Sequence, residues 1–351
     1  MTDASIMPLG IVEGYYGRTW AHDDRRGAIA AASTMGLNAF LYCPKSDEYL
    51  RRQWQDDWPA EQWLELQLTA DHCAALQVQF GVGLSPYALY TAYGQSQRRA
   101  LKRKIERLNA LEAPLLAVLF DDMPGDVPDL AHRQADIIAD IRQWTTAQTV
   151  LMCPTYYSDD PVLETHFGAM PGGYLEALGE SIAPEVDIFW IGRKVCSERI
   201  ALSDLGQINQ QLKRPVTLWD NYPVNDGAVR SKHMYFKPLP DRDPKLSGSI
   251  RGHYCNPMNQ AYASLPALSG LAALHRGESV QAQLEQALGG PLLDLIERDA
   301  GCFEEQGLNA IAPDEAEALA GEYQQLATAA AQEIAGWLRG EYTFDPACLT
   351  D

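Results

Sequence analysis

Short apolar runs recur between Gly10 and Tyr254, and nearly every one ends in polar, proline or ring-bearing residues. They are Gly10–Glu13, Leu37–Cys43, Val78–Leu84, Pro114–Phe120, Thr149–Cys153, Val186–Gly192, Pro215–Trp219 and Gly248–Tyr254. The run Pro114–Phe120 has no polar break, which fits a strand buried on both faces, as in a parallel sheet. Helical segments at Arg25–Met35, Ala60–Leu76, Gln95–Leu111, Leu130–Gln148 and Ala261–His275 alternate with these runs. Eight such strands with intervening helices are what a (β/α)8 barrel requires. A doubly wound open sheet is the alternative, weakened by the lack of a phosphate-binding glycine signature after the first strand.

Beyond residue 277 the pattern changes. Ser279–Leu288, Leu292–Cys302 and Pro313–Gly340 read as helical, with alanine-rich stretches that favour that state. The expected organisation is a TIM-type barrel over residues 1–277 and a helical region over 278–351, too small to be secure alone. That region is expected to pack on the barrel or on a second subunit, and a homodimer is compatible with it.

Net charge is −19, which disfavours nucleic acid and anionic membranes as partners. Seven cysteines, scattered without a CxxC pair, point to reduced thiols and a cytoplasmic setting. Neither a signal peptide nor a membrane-spanning run is read in the sequence. The seven histidines form no HxH or HExxH, so no metal is expected, and no P-loop or GxSxG suggests a cofactor or serine nucleophile. The basic residues of Gln95–Leu111 read as a solvated helix face.

In a barrel of this kind, chemistry resides on the loops after the strands. Those positions carry Glu13-Gly14-Tyr15-Tyr16, Pro44-Lys45, Asp121-Asp122, Tyr156-Tyr157, Trp219-Asp220-Asn221 and Asn256. Carboxylates and amides suit the hydroxyl rim of a sugar, and aromatic rings suit its C–H face. A glycosidase with its own nucleophile needs carboxyl groups ~5–5.5 Å apart on opposite sides of the scissile bond. Adjacent aspartates, with Cα atoms ~3.8 Å apart, leave from one wall of a pocket. Such a pair fits better if the substrate supplies the nucleophile, as a 2-acetamido oxygen does on closing to an oxazoline. Asp121 would then accept the acetamido N–H, and Asp122 would protonate the leaving group and deprotonate water. Asp-Asp pairs also occur as helix caps, and that reading stays open on spacing alone.

The residues also resemble a known family. Gly10-Ile11-Val12-Glu13-Gly14-Tyr15-Tyr16-Gly17-Arg18-Thr19-Trp20 is similar to the opening motif of family 84 glycoside hydrolases, the O-GlcNAcases and hyaluronidase-like β-N-acetylglucosaminidases. The likeness continues, in the family's order, through Leu37-Asn38, Tyr42-Cys43-Pro44-Lys45, Leu119-Phe120-Asp121-Asp122, Cys153-Pro154-Thr155-Tyr156-Tyr157, Leu218 to Asp226 and Asn256-Pro257. It implies a (β/α)8 catalytic domain that removes terminal β-linked GlcNAc from a glycoprotein or glycan, with retention and without a cofactor. By the same resemblance, Asp121 orients the acetamido group and Asp122 is the general acid/base. Tyr157 holds the acetamido oxygen, Trp219 walls the N-acetyl pocket, and Asn221 lines the reacting centre. Gly14, Lys45, Asp226 and Asn256 hold the sugar hydroxyls, while Asp220 braces its loop. Ser46-Asp47-Glu48-Tyr49-Leu50 and Ile191-Gly192-Arg193-Lys194 depart from the family pattern, which bears on the rim and the aglycone side. A non-catalytic GlcNAc-binding barrel and an endo-acting hyaluronidase-type enzyme are the competing readings.

Overall fold

The computed structural model describes residues 7–350. Eight parallel strands close into a barrel in sequence order: β1 (Leu9–Glu13), β2 (Ala39–Tyr42), β3 (Gln79–Leu84), β4 (Leu115–Leu119), β5 (Thr149–Cys153), β6 (Asp187–Trp190), β7 (Val216–Asp220) and β8 (Ile250–Cys255). Closure comes from β1 pairing with β8, Leu9 opposite His253 and Ile11 opposite Cys255. The open-sheet alternative is therefore excluded. Residues of β1, β2 and β4 are buried throughout, as expected of strands packed inside by one another and outside by helices.

Around the barrel run α1 (His22–Thr34), α2 (Ala60–Ala75), α3 (Gln95–Asn109), α4 (Leu130–Trp144), α5 (Val162–Phe167), α6 (Tyr174–Ser181), α7 (Leu202–Gln211) and α8 (Leu265–Arg276). The chain then continues through α9 (Gln281–Leu288), α10 (Gly290–Gly301), α11 (Pro313–Gln324) and α12 (Ala329–Leu338). The helical stretch expected over Pro313–Gly340 is broken. Ala327 takes a left-handed φ of 51°, and the Thr328 hydroxyl accepts from the Ala331 N–H to start α12. Helix propensity alone does not register that break, although a threonine cap does.

Two features differ from the sequence reading for a packing reason. Helix α8 begins at Leu265, not Ala261, because the backbone N–H groups of Ala261, Tyr262 and Ala263 donate to the Glu333 carboxylate of α12. The basic face of α3 is not wholly solvated. Lys104 is buried over the Trp58 ring and donates to the Asp56 carbonyl, and burial lowers its ammonium pKa to about 8.

The C-terminal helices pack on the barrel's loops. The Trp337 indole donates to the Ser231 carbonyl, and Phe303, Tyr323 and Trp337 are all buried. Such polar-tipped aromatics anchor well where the ring is buried and its N–H is satisfied. No described helix is long and apolar enough to cross a membrane. Cys43, Cys73, Cys153, Cys255 and Cys302 are free thiols.

Candidate active site

The loops after the strands converge on one pocket at the C-terminal end of the barrel. Gly14, Lys45, Asp121, Asp122, Tyr157, Trp219, Asn221, Asp226 and Asn256 all line it, so the structure brings together every residue that the resemblance placed against the sugar. A groove of about 700 Å³ opens beside it and shares Tyr16, Lys45 and Asp122. A larger cavity of about 780 Å³ lies elsewhere, between α1, the loop after β2 and the C-terminal helices. It contains neither Asp121 nor Asp122, so it is not where their chemistry occurs.

In an extended strand, successive side chains point to opposite faces. Asp122 escapes that alternation by a left-handed φ of 55° immediately after β4. Aspartate tolerates this conformation better than most residues, but it still stores backbone strain. Arg51 fixes the turn, donating to the Asp122 carbonyl at 2.8 Å and to the Ser85 hydroxyl at 2.7 Å. Both aspartates therefore face one pocket.

The two carboxylates have separate partners. Lys45 is buried and paired with Oδ2 of Asp121. Burial opposes the ammonium charge, but the two aspartates outweigh it and raise the lysine pKa. Oδ1 of Asp121 is buried with no protein partner. A buried acceptor in that condition costs ~1–3 kcal/mol unless a donor arrives. Asp122 receives two phenols, Tyr16 at Oδ2 and Tyr157 at Oδ1, each at 2.8 Å. Burial raises both phenol pKa values, and the Asp122 charge raises them further, so both stay protonated as donors.

The remaining walls are built by reciprocal bonding. Oδ1 of Asn221 accepts from the Trp219 indole and from Nδ2 of Asn256, both at 3.0 Å, while its own Nδ2 donates to the Val195 carbonyl. Oδ1 of Asn256 accepts from the Gly14 N–H at 3.2 Å. The Trp219 ring lies edge-on to Phe189, with centroids 5.3 Å apart. It also lies so close to Gly14 that a Cβ there would overlap the ring. Asp226 accepts the Tyr16 N–H at 2.7 Å, and burial, partly offset by that bond, lifts its carboxyl pKa to about 6.

Two strand-end acids do not face the pocket. Glu13 is fully buried and forms a two-bond pair with Arg25, at 2.6 and 2.8 Å. Asp220 accepts two bonds from Arg242 and one from Nε2 of His253. Burial works against its charge, but the guanidinium prevails and holds its pKa well below the usual carboxylate range. Asp220, His253 and Cys255 are close enough together to suggest a metal site. A divalent ion there would have to displace the Arg242 guanidinium, so the donor set fits an ion pair and not a metal.

Sequence reasoning missed Tyr16, Ile191, Val195, Cys196, Val224, Arg230, Cys348 and Thr350 as pocket residues. Tyr16 stood within the opening motif, but its spacing did not distinguish it from the buried Tyr15.

A family model described as beta-N-acetylglucosaminidase matches residues 9–292. The chain belongs to this family, glycoside hydrolase family 84. It is 27% identical over 276 residues to the curated Protein O-GlcNAcase of Rattus norvegicus and, to the same extent, to that of Mus musculus. These matches cover 76% of the chain but 30% of either relative, so the chain spans under a third of their length. A mutant O-GlcNAc hydrolase of Thermobaculum terrenum superposes with a TM-score of 0.75 at 28% identity, covering 95% of this chain and 81% of the other. CpGH84B superposes with a TM-score of 0.76 at 21% identity, covering 95% and 66%, a likeness that speaks to fold alone.

Proposed function

We propose that this family 84 glycosidase is a retaining exo-β-N-acetylglucosaminidase of the O-GlcNAcase type, acting through an oxazoline formed by the substrate's own acetamido group. The observation that carries the reading is the buried Oδ1 of Asp121, which lacks a protein donor beside the Lys45-neutralised Oδ2. An acetamido N–H is the donor it lacks. Accepting that proton raises electron density on the amide oxygen, which attacks C1. Lys45, assigned to sugar hydroxyls by resemblance, is better read as the counter-ion that holds Asp121 aligned.

Asp122 would serve as general acid and then general base. In the free protein it accepts hydrogen bonds from Tyr16 and Tyr157, so carrying a proton of its own to the leaving oxygen requires one contact to be given up. Tyr157 is the one that leaves, turning its hydroxyl to the acetamido oxygen, while Tyr16 keeps the carboxylate in place. Trp219 and Gly14 form the flat N-acetyl wall, and Asn221 and Asn256 hold it rigid. Asp226 and Asn256 bind the ring hydroxyls. The barrel, residues 1–277, would carry the catalysis, and the helices of the 278–351 region would buttress its loops. A cytoplasmic location and a glycoprotein substrate are consistent with this reading.

Hydrolysis of 4-nitrophenyl β-GlcNAc, with the first-formed anomer read by NMR, tests the proposal. The expected product is the β-anomer of free GlcNAc. Release of the α-anomer, or of oligosaccharides early in digestion of a GlcNAc polymer, would contradict retention or exo action respectively.

A further inference from the structure

The sugar pocket is narrow. Its free volume is about 40 Å³, whereas pockets for small ligands run to ~300–1,000 Å³. One wall is formed by the segment that follows α12. Cys348 and Thr350 line the pocket beside Asp121, Asp122 and Trp219, while Asp345, Ala347 and Leu349 line the adjacent groove. Thr350 is 9% exposed, and the Cys348 thiol lies 3.9 Å from Oδ1 of Asp226, a carboxylate assigned above to the sugar.

The segment is built to be displaced. Its turn closes on itself, the Cys348 N–H donating to the Asp345 carbonyl and the Ala347 N–H to the Asp345 carboxylate. It can therefore move as a unit without breaking those bonds. Phe344 and Leu349 are 41% and 50% exposed, so about half of their apolar surface stays in solvent when the segment is seated. A thiol is also a weak donor, and exchanging it for a sugar hydroxyl on Asp226 is favourable. Upstream, Arg18 lies over the Tyr342 ring, 5.1 Å from its centroid, which marks where the tether begins.

We propose that residues 343–350 form a tethered strap that narrows the sugar pocket of the free protein and competes with GlcNAc for it. This rests on the glycosidase reading above. The strap lowers apparent affinity by the fraction of molecules in which it is seated. If the open form is populated at about 10–30%, removing the strap lowers KM about three- to tenfold with kcat unchanged.

Two measurements test this. The first compares the full chain with a deletion of residues 343–351, which retains Tyr342, by kinetics on 4-nitrophenyl β-GlcNAc and by calorimetry with an oxazoline-mimicking thiazoline. The second follows iodoacetamide labelling of Cys348 in the full chain, mapped by peptide mass spectrometry, and needs no truncated protein. The expected results are a lower KM and tighter thiazoline binding after deletion, and faster Cys348 labelling when thiazoline saturates the full chain. Thiazoline binding with no effect on labelling, or a KM unchanged by deletion, would overturn the strap while leaving the glycosidase reading intact. Absence of both hydrolysis and thiazoline binding in both forms would overturn that reading, and the strap with it.

Discussion

Asp122 has its two oxygens held by Tyr16 and Tyr157 on a left-handed turn, and its consequences are testable one side chain at a time. Asp122→Ala should lower kcat/KM ~10²–10⁴-fold for poor leaving groups, the usual worth of a general acid. The loss should be far smaller for 2,4-dinitrophenyl β-GlcNAc, whose departure needs no proton. Equal losses across leaving groups would remove Asp122 from the acid role. Tyr16→Phe leaves Asp122 with one phenol and should weaken kcat more than KM, because that contact persists through the reaction. Asp226, with its carboxyl lifted to about 6 mainly by burial, is protonated below that pH and charged above it. If its charged form binds the sugar hydroxyls, kcat/KM should fall as pH drops through about 6, and a profile flat from 5 to 7 would exclude that role. Gly14→Ala should push the Trp219 ring off the N-acetyl wall and raise KM, with a changed near-UV signal from the indole.

At the scale of elements, the loops stay in place because charged pairs are buried behind them. Arg242 joins Asp220 at the end of β7 to the carbonyls of Ser197 and Glu198, across the loop after β6. Asp220→Asn leaves the guanidinium buried without its counter-charge and should cost about 3–5 kcal/mol, measured by urea unfolding. Because the folded pKa of Asp220 lies below its unfolded value of ~3.9, its contribution is complete above that pH and is lost on acidification toward the folded value. The Asn variant should therefore show a shallower loss of stability below pH 4. The barrel was legible because buried parallel strands are nearly continuous apolar runs, and Thr149–Cys153 begins and ends where the sequence placed it. Helices α5 and α6 were not, since at 6 and 8 residues they are too short for a helical period to stand out. Glu13 and Asp226 are equally acidic in sequence. Only the position of Arg25, 12 residues away and folded back, turns one into structure and leaves the other in the pocket.

Over the whole molecule, the C-terminal helices act on the barrel through specific contacts. Glu333 takes three backbone N–H groups ahead of α8, so Glu333→Ala should destabilise the chain by at least about 1–3 kcal/mol, the cost of an orphaned buried donor. Unfolding should stay cooperative if helices and barrel form one unit. None of this was visible in sequence, where a glutamate in an alanine-rich helix reads as an ordinary solvated residue. The pocket's chemistry was more legible, because Asp121-Asp122 needs only adjacency to suggest a one-walled pair. What adjacency could not reveal is that Lys45 neutralises one carboxylate while two phenols hold the other. Attack of the substrate's amide oxygen on C1 is probed by a series of 4-nitrophenyl β-glycosides carrying acetyl, fluoroacetyl, difluoroacetyl and trifluoroacetyl groups on the 2-amine. Each fluorine withdraws electrons from that oxygen, so kcat/KM should fall steeply along the series, with no glycosyl group found on the protein. A rate indifferent to fluorine, together with a sugar trapped covalently on Asp226, would contradict it.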